Sequence, residues 1–178
     1  MERKMQLSRD LKKCQNCELY KNQLPLLDEL TKKDVMWVGL SAKRVVNGEE
    51  SLPLARNTNT GKIIETIELE LKEYSFYKTN LVKCLPLDSN KKIRYPTKME
   101  ITKCLDNLIY EIEIVKPKIV LLLGKIVYDN VYKYCKDNKL DVSKLFYIEH
   151  PSYIYIYKRK YLKEYIEKVK NLIITKGK

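Results

Sequence analysis

The sequence predicts an α/β fold, a three-layer α/β/α arrangement around a central four-stranded, mainly parallel sheet. Three observations point there. Short uninterrupted apolar runs of strand length recur along the chain, several of them ending at a glycine or a polar residue. Between them the apolar spacing turns helical. No internal repeat, low-complexity tract or Ser/Gly-rich linker interrupts the alternation, so residues 1–178 read as a single domain.

Taken in order, a short N-terminal helical segment carries Cys14 and Cys17. Val35-Met36-Trp37-Val38 reads as a buried strand ending at Gly39. Ile63, Ile64, Ile67 and Leu71 share one face of a helix that starts at Gly61. Ser75 to Leu81 is the second strand, with Asn80 near its end. Ile101, Leu105, Leu108, Ile112 and Val115 share the face of a long helix that Pro117 closes. Ile119 to Leu123 is a strand stopped by Gly124, Ile126 to Lys136 a helix with Cys135 in its core face, Leu145 to Ile148 the fourth strand, and Arg159 to Ile174 a final helix with a basic outer side. In such a sheet the right-handed crossovers gather functional loops at the carboxyl ends of the strands. Gly39, Ser41, Asn80, Gly124 and His150 should therefore line one crevice.

With 35 Lys and Arg against 23 Asp and Glu, the formal charge is +12, which makes a polyanion such as DNA the expected large partner. No apolar stretch approaches a membrane span, and the start at Met1 has no apolar leader behind it, so an intracellular, monomeric, membrane-free protein is expected. Thiols or metal ligands then account better than disulfides for the five cysteines. Cys14, Cys17, Cys84 and Cys104 can satisfy a tetrahedral metal or a cubane cluster, and their spacing leaves zinc and iron–sulfur equally open. The sole histidine, His150, follows the fourth strand, where an imidazole is the group most easily poised near neutral pH.

Read in sequence, Cys14-x2-Cys17, Val35-Met36-Trp37-Val38-Gly39, Pro53-Leu54, Thr79-Asn80-Leu81-Val82-Lys83-Cys84, Glu100-Ile101-x2-Cys104, Pro117-Lys118-Ile119-Val120-x3-Gly124 and His150-Pro151-Ser152 resemble the iron–sulfur uracil-DNA glycosylases over nearly the whole chain. The family 4 enzymes are the nearest match. The resemblance implies a [4Fe-4S] cluster on Cys14, Cys17, Cys84 and Cys104. It also implies excision of uracil or a related deaminated base flipped from single- or double-stranded DNA, with Asn80 reading the base edge and His150 stabilising the leaving anion. Backbone near Gly39 and Leu40 would complete the pocket. Ser152 would bind a backbone phosphate, and Tyr153 or Ile154 would wedge into the gap left by the flipped nucleotide.

The first motif departs from the family. Where family 4 carries G-E-A-P-G, this chain reads Gly39-Leu40-Ser41-Ala42-Lys43, closer to the G-L-A-P-A of family 5. Ser41 stands where other branches hold the attacking water with Asp or Asn, and serine orients water without acting as a strong base. Slow turnover is the expectation, with Asn47, Glu49 and Glu50 as loop groups able to assist. Leu54 replaces a phenylalanine that stacks on the base, and Arg56 to Gly61 is a longer, polar loop. Tyr147, Tyr153, Tyr155, Tyr157 and Tyr161 interleave with Lys158, Arg159 and Lys160, a mixture suited to stacking bases and gripping phosphates. The alternative is a glycosylase fold with little or no turnover that serves as a DNA- or protein-binding module.

Overall fold

The strands β1 (Val35–Ser41), β2 (Phe76–Val82), β3 (Ile119–Leu123) and β4 (Leu145–Ile148) pair in the order β2-β1-β3-β4, every neighbouring pair parallel. The computed structural model describes residues 2–46 and 52–177; Asn47, Glu49 and Glu50 lie outside the described residues. The helices are α1 (Glu2–Lys12), α2 (Asn59–Glu70), α3 (Lys98–Val115), α4 (Lys125–Asp137), α5 (Pro151–Tyr157) and α6 (Leu162–Lys176).

Both sheet faces are covered, which is why β1 and β3 read as unbroken apolar runs. Alternation is still present in the packing. Met36, Val38, Tyr77, Val120 and Leu122 meet Leu11, Leu105, Leu108 and Val131 from α1, α3 and α4 on one face. Val35, Trp37, Ile119 and Leu121 meet Ile63, Ile64 and Ile67 of α2 and Val169 and Ile173 of α6 on the other. The chain winds from β1 outward to β2 through α2 and, after α3 crosses back, from β3 outward to β4 through α4. Winding reverses between β1 and β3, so the crevice of an open parallel sheet falls at their carboxyl ends.

Local chemistry sets the helix ends. Thr58 caps α2 by accepting a hydrogen bond from the Gly61 amide at 2.9 Å. Thr97 and Glu100 form a reciprocal capping box on α3, and Arg94 grips the same Glu100 carboxylate with two nitrogens at 2.8 and 2.6 Å. That guanidinium holds the Glu100 carboxyl below its ordinary value. Lys116 ends α3 with φ 51°, after which Pro117 cannot continue the helix.

The structure corrects two local expectations and adds one element. Cys14 and Cys17 lie in the irregular turn between α1 and a 3-10 turn at Glu18–Lys21, not within a helix. The last helix is split, a 3-10 turn over Arg159–Tyr161 preceding α6. Pro151–Tyr157, to which the sequence pattern assigns no element, is α5, with Pro151 at its first turn where a missing N–H costs nothing.

Gly61 lies in the first turn of α2 against the preceding loop: a Cβ there would stand 2.0 Å from the Ala55 carbonyl oxygen. Backbone cannot yield as a flexible side chain does. Gly61→Ala should therefore lower folding stability by about 1–3 kcal/mol, read as a fall in the thermal unfolding midpoint.

Candidate active site

At the carboxyl end of the sheet, a cavity of about 210 Å³ is bounded by Gly39, Leu40 and Ser41 from β1, Asn80 from β2, and His150 beyond β4. Leu54, Thr58 and Thr60 close it from the start of α2, with Lys43 at its margin. Parallel pairing brings these groups together: Gly39 and Asn80 are direct partners in the β1–β2 ladder. A Cβ on Gly39 would stand 2.4 Å from Asn80 Oδ1 and 2.8 Å from Leu54 Cδ2, so only glycine lets both side chains close over β1. Leu54 reaches this point from a left-handed backbone, φ 51°, uncommon for a residue with a side chain.

Asn80 is 2% exposed, and among the described residues its carboxamide makes no hydrogen bond. Buried amides are ordinarily paired, so one facing a cavity is equipped for a polar ligand. Thr60 is nearly as buried and presents a hydroxyl to the same space. No motif in the sequence singles it out, although Thr58 as N-cap is a signal that places Thr60 in the first turn of α2.

His150 is held by its own neighbour. It caps α5, its Nδ1 accepting from the Ser152 amide at 3.3 Å, and Ser152 Oγ lies 2.8 Å from the same nitrogen. An amide only donates, which marks Nδ1 as an acceptor and puts the proton of the neutral ring on Nε2. Burial keeps the imidazole below its ordinary value of 6.5, so the neutral form persists on acidification. With Nδ1 accepting, the Ser152 hydroxyl expected at a phosphate donates to the histidine in this structure.

Leu40 and His150 also border a larger groove of about 720 Å³ that runs past Gly124 and Lys125. Tyr153, Ile156 and Tyr157 share the outer face of α5 at i, i+3 and i+4 and line this groove, facing Tyr95 and Tyr147. All five are exposed; Tyr95 and Tyr157 are each more than 70% accessible. Ile154, the other expected wedge, points inward at 2% exposure, because helical periodicity sends it and Pro151 to the core. Lys158 is tied to Glu149 at 2.8 Å and lies over the Tyr153 ring, while Arg159 lies over Tyr155 at 4.9 Å.

Cys14, Cys17, Cys84 and Cys104, remote in sequence, line one small pocket together with Lys83 and Lys103. None is in a disulfide. Burial, then the neighbouring Cys104, Cys17 and Cys14, push the Cys84 thiol up to about 12. Four sulfurs sharing one pocket, those of Cys84 and Cys104 buried and those of Cys14 and Cys17 partly so, are a donor set for a soft, positively charged group. Among the described residues, no group of three or more cysteine, histidine or carboxylate side chains has a geometry able to hold a metal ion. Cys135 is buried on the core face of α4, as expected.

The family model for the uracil DNA glycosylase superfamily matches residues 25–172. The chain belongs to this superfamily. Three relatives named type-4 uracil-DNA glycosylase fit that membership. The Archaeoglobus fulgidus protein is 28% identical over 132 residues, covering 70% of this chain and 61% of its own. Those of Saccharolobus solfataricus and Sulfurisphaera tokodaii are 30% and 29% identical over 121 and 153 residues; they cover 65% and 83% of this chain, and 53% and 64% of their own. The chain thus spans less than two thirds of each relative. The structure of Pedobacter heparinus SMUG2 superposes with a TM-score of 0.64 at 14% identity over 98% of this chain and 84% of that one, and shares its fold. Within this superfamily member, no described helix is long and apolar enough to cross a membrane.

Because His150 is the sole histidine, its titration is directly readable by NMR. Its midpoint should lie below 6.5, with Nε2 carrying the proton of the neutral form. The unfolded chain then takes up this proton first, so the histidine's contribution to stability is complete above pH ~6.5 and declines as pH falls through that value. A midpoint at or above 6.5 would contradict the assignment.

Proposed function

We infer that this protein is a DNA N-glycosylase that takes uracil, or a related deaminated base, out of DNA and hydrolyses its N-glycosidic bond. The observation that carries this reading is that Asn80 and His150, 70 positions apart, line one cavity over the bare backbone of Gly39. A carboxamide offers a donor and an acceptor together, the complement of the O4 and N3–H edge of uracil. Opposite it, the His150 Nε2–H donates to O2 as negative charge grows on the departing base. An interaction that strengthens as charge develops lowers the barrier.

In this mechanism the C1′–N1 bond breaks with its electron pair leaving on the base. Water, oriented by the Ser41 hydroxyl, bonds to C1′ and loses its proton to solvent. Serine orients water without acting as a strong base, so bond breaking runs ahead of water attack. The α5 face supports the substrate: Tyr153 fills the space vacated by the flipped nucleotide, and Tyr157 and Tyr95 stack on unpaired neighbours, with Lys158 and Arg159 near phosphates. Cys14, Cys17, Cys84 and Cys104 would hold a [4Fe-4S] cluster, which when bound ties the N-terminal segment to β2 and α3 as a structural element. The protein acts as a monomer on DNA inside the cell.

Ser41, standing where other branches of the superfamily carry Asp or Asn, also favours a second reading, a glycosylase fold that binds DNA with little turnover. One assay separates them. Uracil-containing single- and double-stranded oligonucleotides should yield alkali-sensitive abasic sites, and His150→Ala should slow single-turnover excision at saturating enzyme by about 10²–10³-fold, a loss well beyond any weakening of DNA affinity from the lost α5 cap. Absence of product from both substrates would reject the enzyme. Separately, anaerobically purified protein should be brown and carry about four irons per chain, and Cys104→Ser should lower both the iron content and the unfolding midpoint; a colourless zinc protein would overturn the cluster assignment.

A further inference from the structure

Lys83 and Glu111 form an ion pair almost sealed from solvent, at 2% and 0% side-chain exposure, on the α3 face of the sheet. Lys83 Nζ has three protons, and each has one acceptor: Thr79 Oγ1 at 2.8 Å, the Asn80 backbone carbonyl at 2.6 Å and Glu111 Oε2. Glu111 is held in turn by the Tyr77 hydroxyl at 3.1 Å and by Thr79 Oγ1 at 2.9 Å. A buried ion pair is a weak source of net stability, because desolvation offsets most of the attraction. Simple packing could have filled the same space with a leucine and a methionine.

What the pair does have is an address. Thr79 and Asn80 are consecutive on β2, so their side chains leave opposite faces of the sheet. The ammonium bonds Thr79 on the α3 face and, from that same side, grips the Asn80 carbonyl, while the Asn80 carboxamide emerges toward the cavity on the α2 face. That carboxamide has no hydrogen bond of its own among the described residues, so its aim is set by its backbone and by contact with Gly39 and Leu54. We propose that Lys83, anchored by Glu111, is a positioning residue that fixes the Asn80 peptide from behind the sheet and thereby aims the base-reading amide. The proposal rests on the reading of Asn80 given above.

The test is a cycle of variants in the single-turnover excision assay, with thermal unfolding and circular dichroism as folding controls. Lys83→Met with Glu111→Gln removes both charges together and leaves an uncharged amide of the same shape to satisfy Tyr77 and Thr79. This pair of changes should keep the fold yet slow excision by about tenfold or more. In an Asn80→Ala background the same pair should cost nothing further, because there is no longer an amide to aim. A merely structural role predicts the opposite, an equal loss in both backgrounds, and that result overturns the proposal, as does unchanged excision in a folded Lys83→Met/Glu111→Gln protein. Should the double variant not fold, Glu111→Gln alone gives the same comparison, since it keeps the shape and frees the ammonium. Its loss must likewise vanish beside Asn80→Ala. Failure of the underlying reading looks different: Asn80→Ala alone then excises uracil at the unaltered rate.

Discussion

Gly39 and Asn80 meet as ladder partners with no side chain between them, and the architecture of the cavity follows from that contact. Because β1 is central and parallel to both neighbours, its carboxyl end is the one place where β2, β3 and the chain beyond β4 all come within reach. A side chain at position 39 would occupy the space now shared by Asn80 Oδ1 and Leu54 Cδ2. Leu54 accepts a left-handed backbone to be there, and Gly61 lets α2 press onto the same loop. Two glycines thus convert a sheet edge into an enclosure, and the polar groups of that enclosure come from four separate chain segments.

The sheet and its larger helices are legible in the sequence because their cause is local. Covered parallel strands are apolar on both faces, and α2, α3 and α4 carry 3.6-residue stripes that no other element mimics. Leu145–Ile148 stands out as an apolar run although, at the sheet edge, its Tyr147 is exposed. α5 does not, because Ile and Tyr occupy both its buried and exposed faces and erase the periodicity that marks a helix. Without that helix, Ile154 looks as available as Tyr153.

Of the candidate site, residue identities are readable and their pairings are not. Asn80, His150 and the four cysteines stand in recognisable motifs, so their convergence follows once strand order is known. Ser152 reads as a phosphate ligand because a serine after His-Pro has no sequence mark saying which way its hydroxyl turns. Lys83, just beyond β2, and Glu111, within α3, are 28 positions apart, and nothing in the motif that contains Lys83 names Glu111 as its partner. Buried ion pairs are invisible to periodicity because they occupy positions that the pattern would assign to apolar residues or to solvent.

The capping bond between Ser152 and His150 has an evolutionary corollary. One imidazole both walls the cavity and starts the helix that presents Tyr153, Ile156 and Tyr157 to the groove. Replacing it by a group that cannot cap would therefore loosen the first turn of α5 along with the cavity wall, so the two cannot be tuned one at a time. Ser41, Leu54 and Thr60 also line the cavity, and a change at any of them reshapes it without touching the cap of α5.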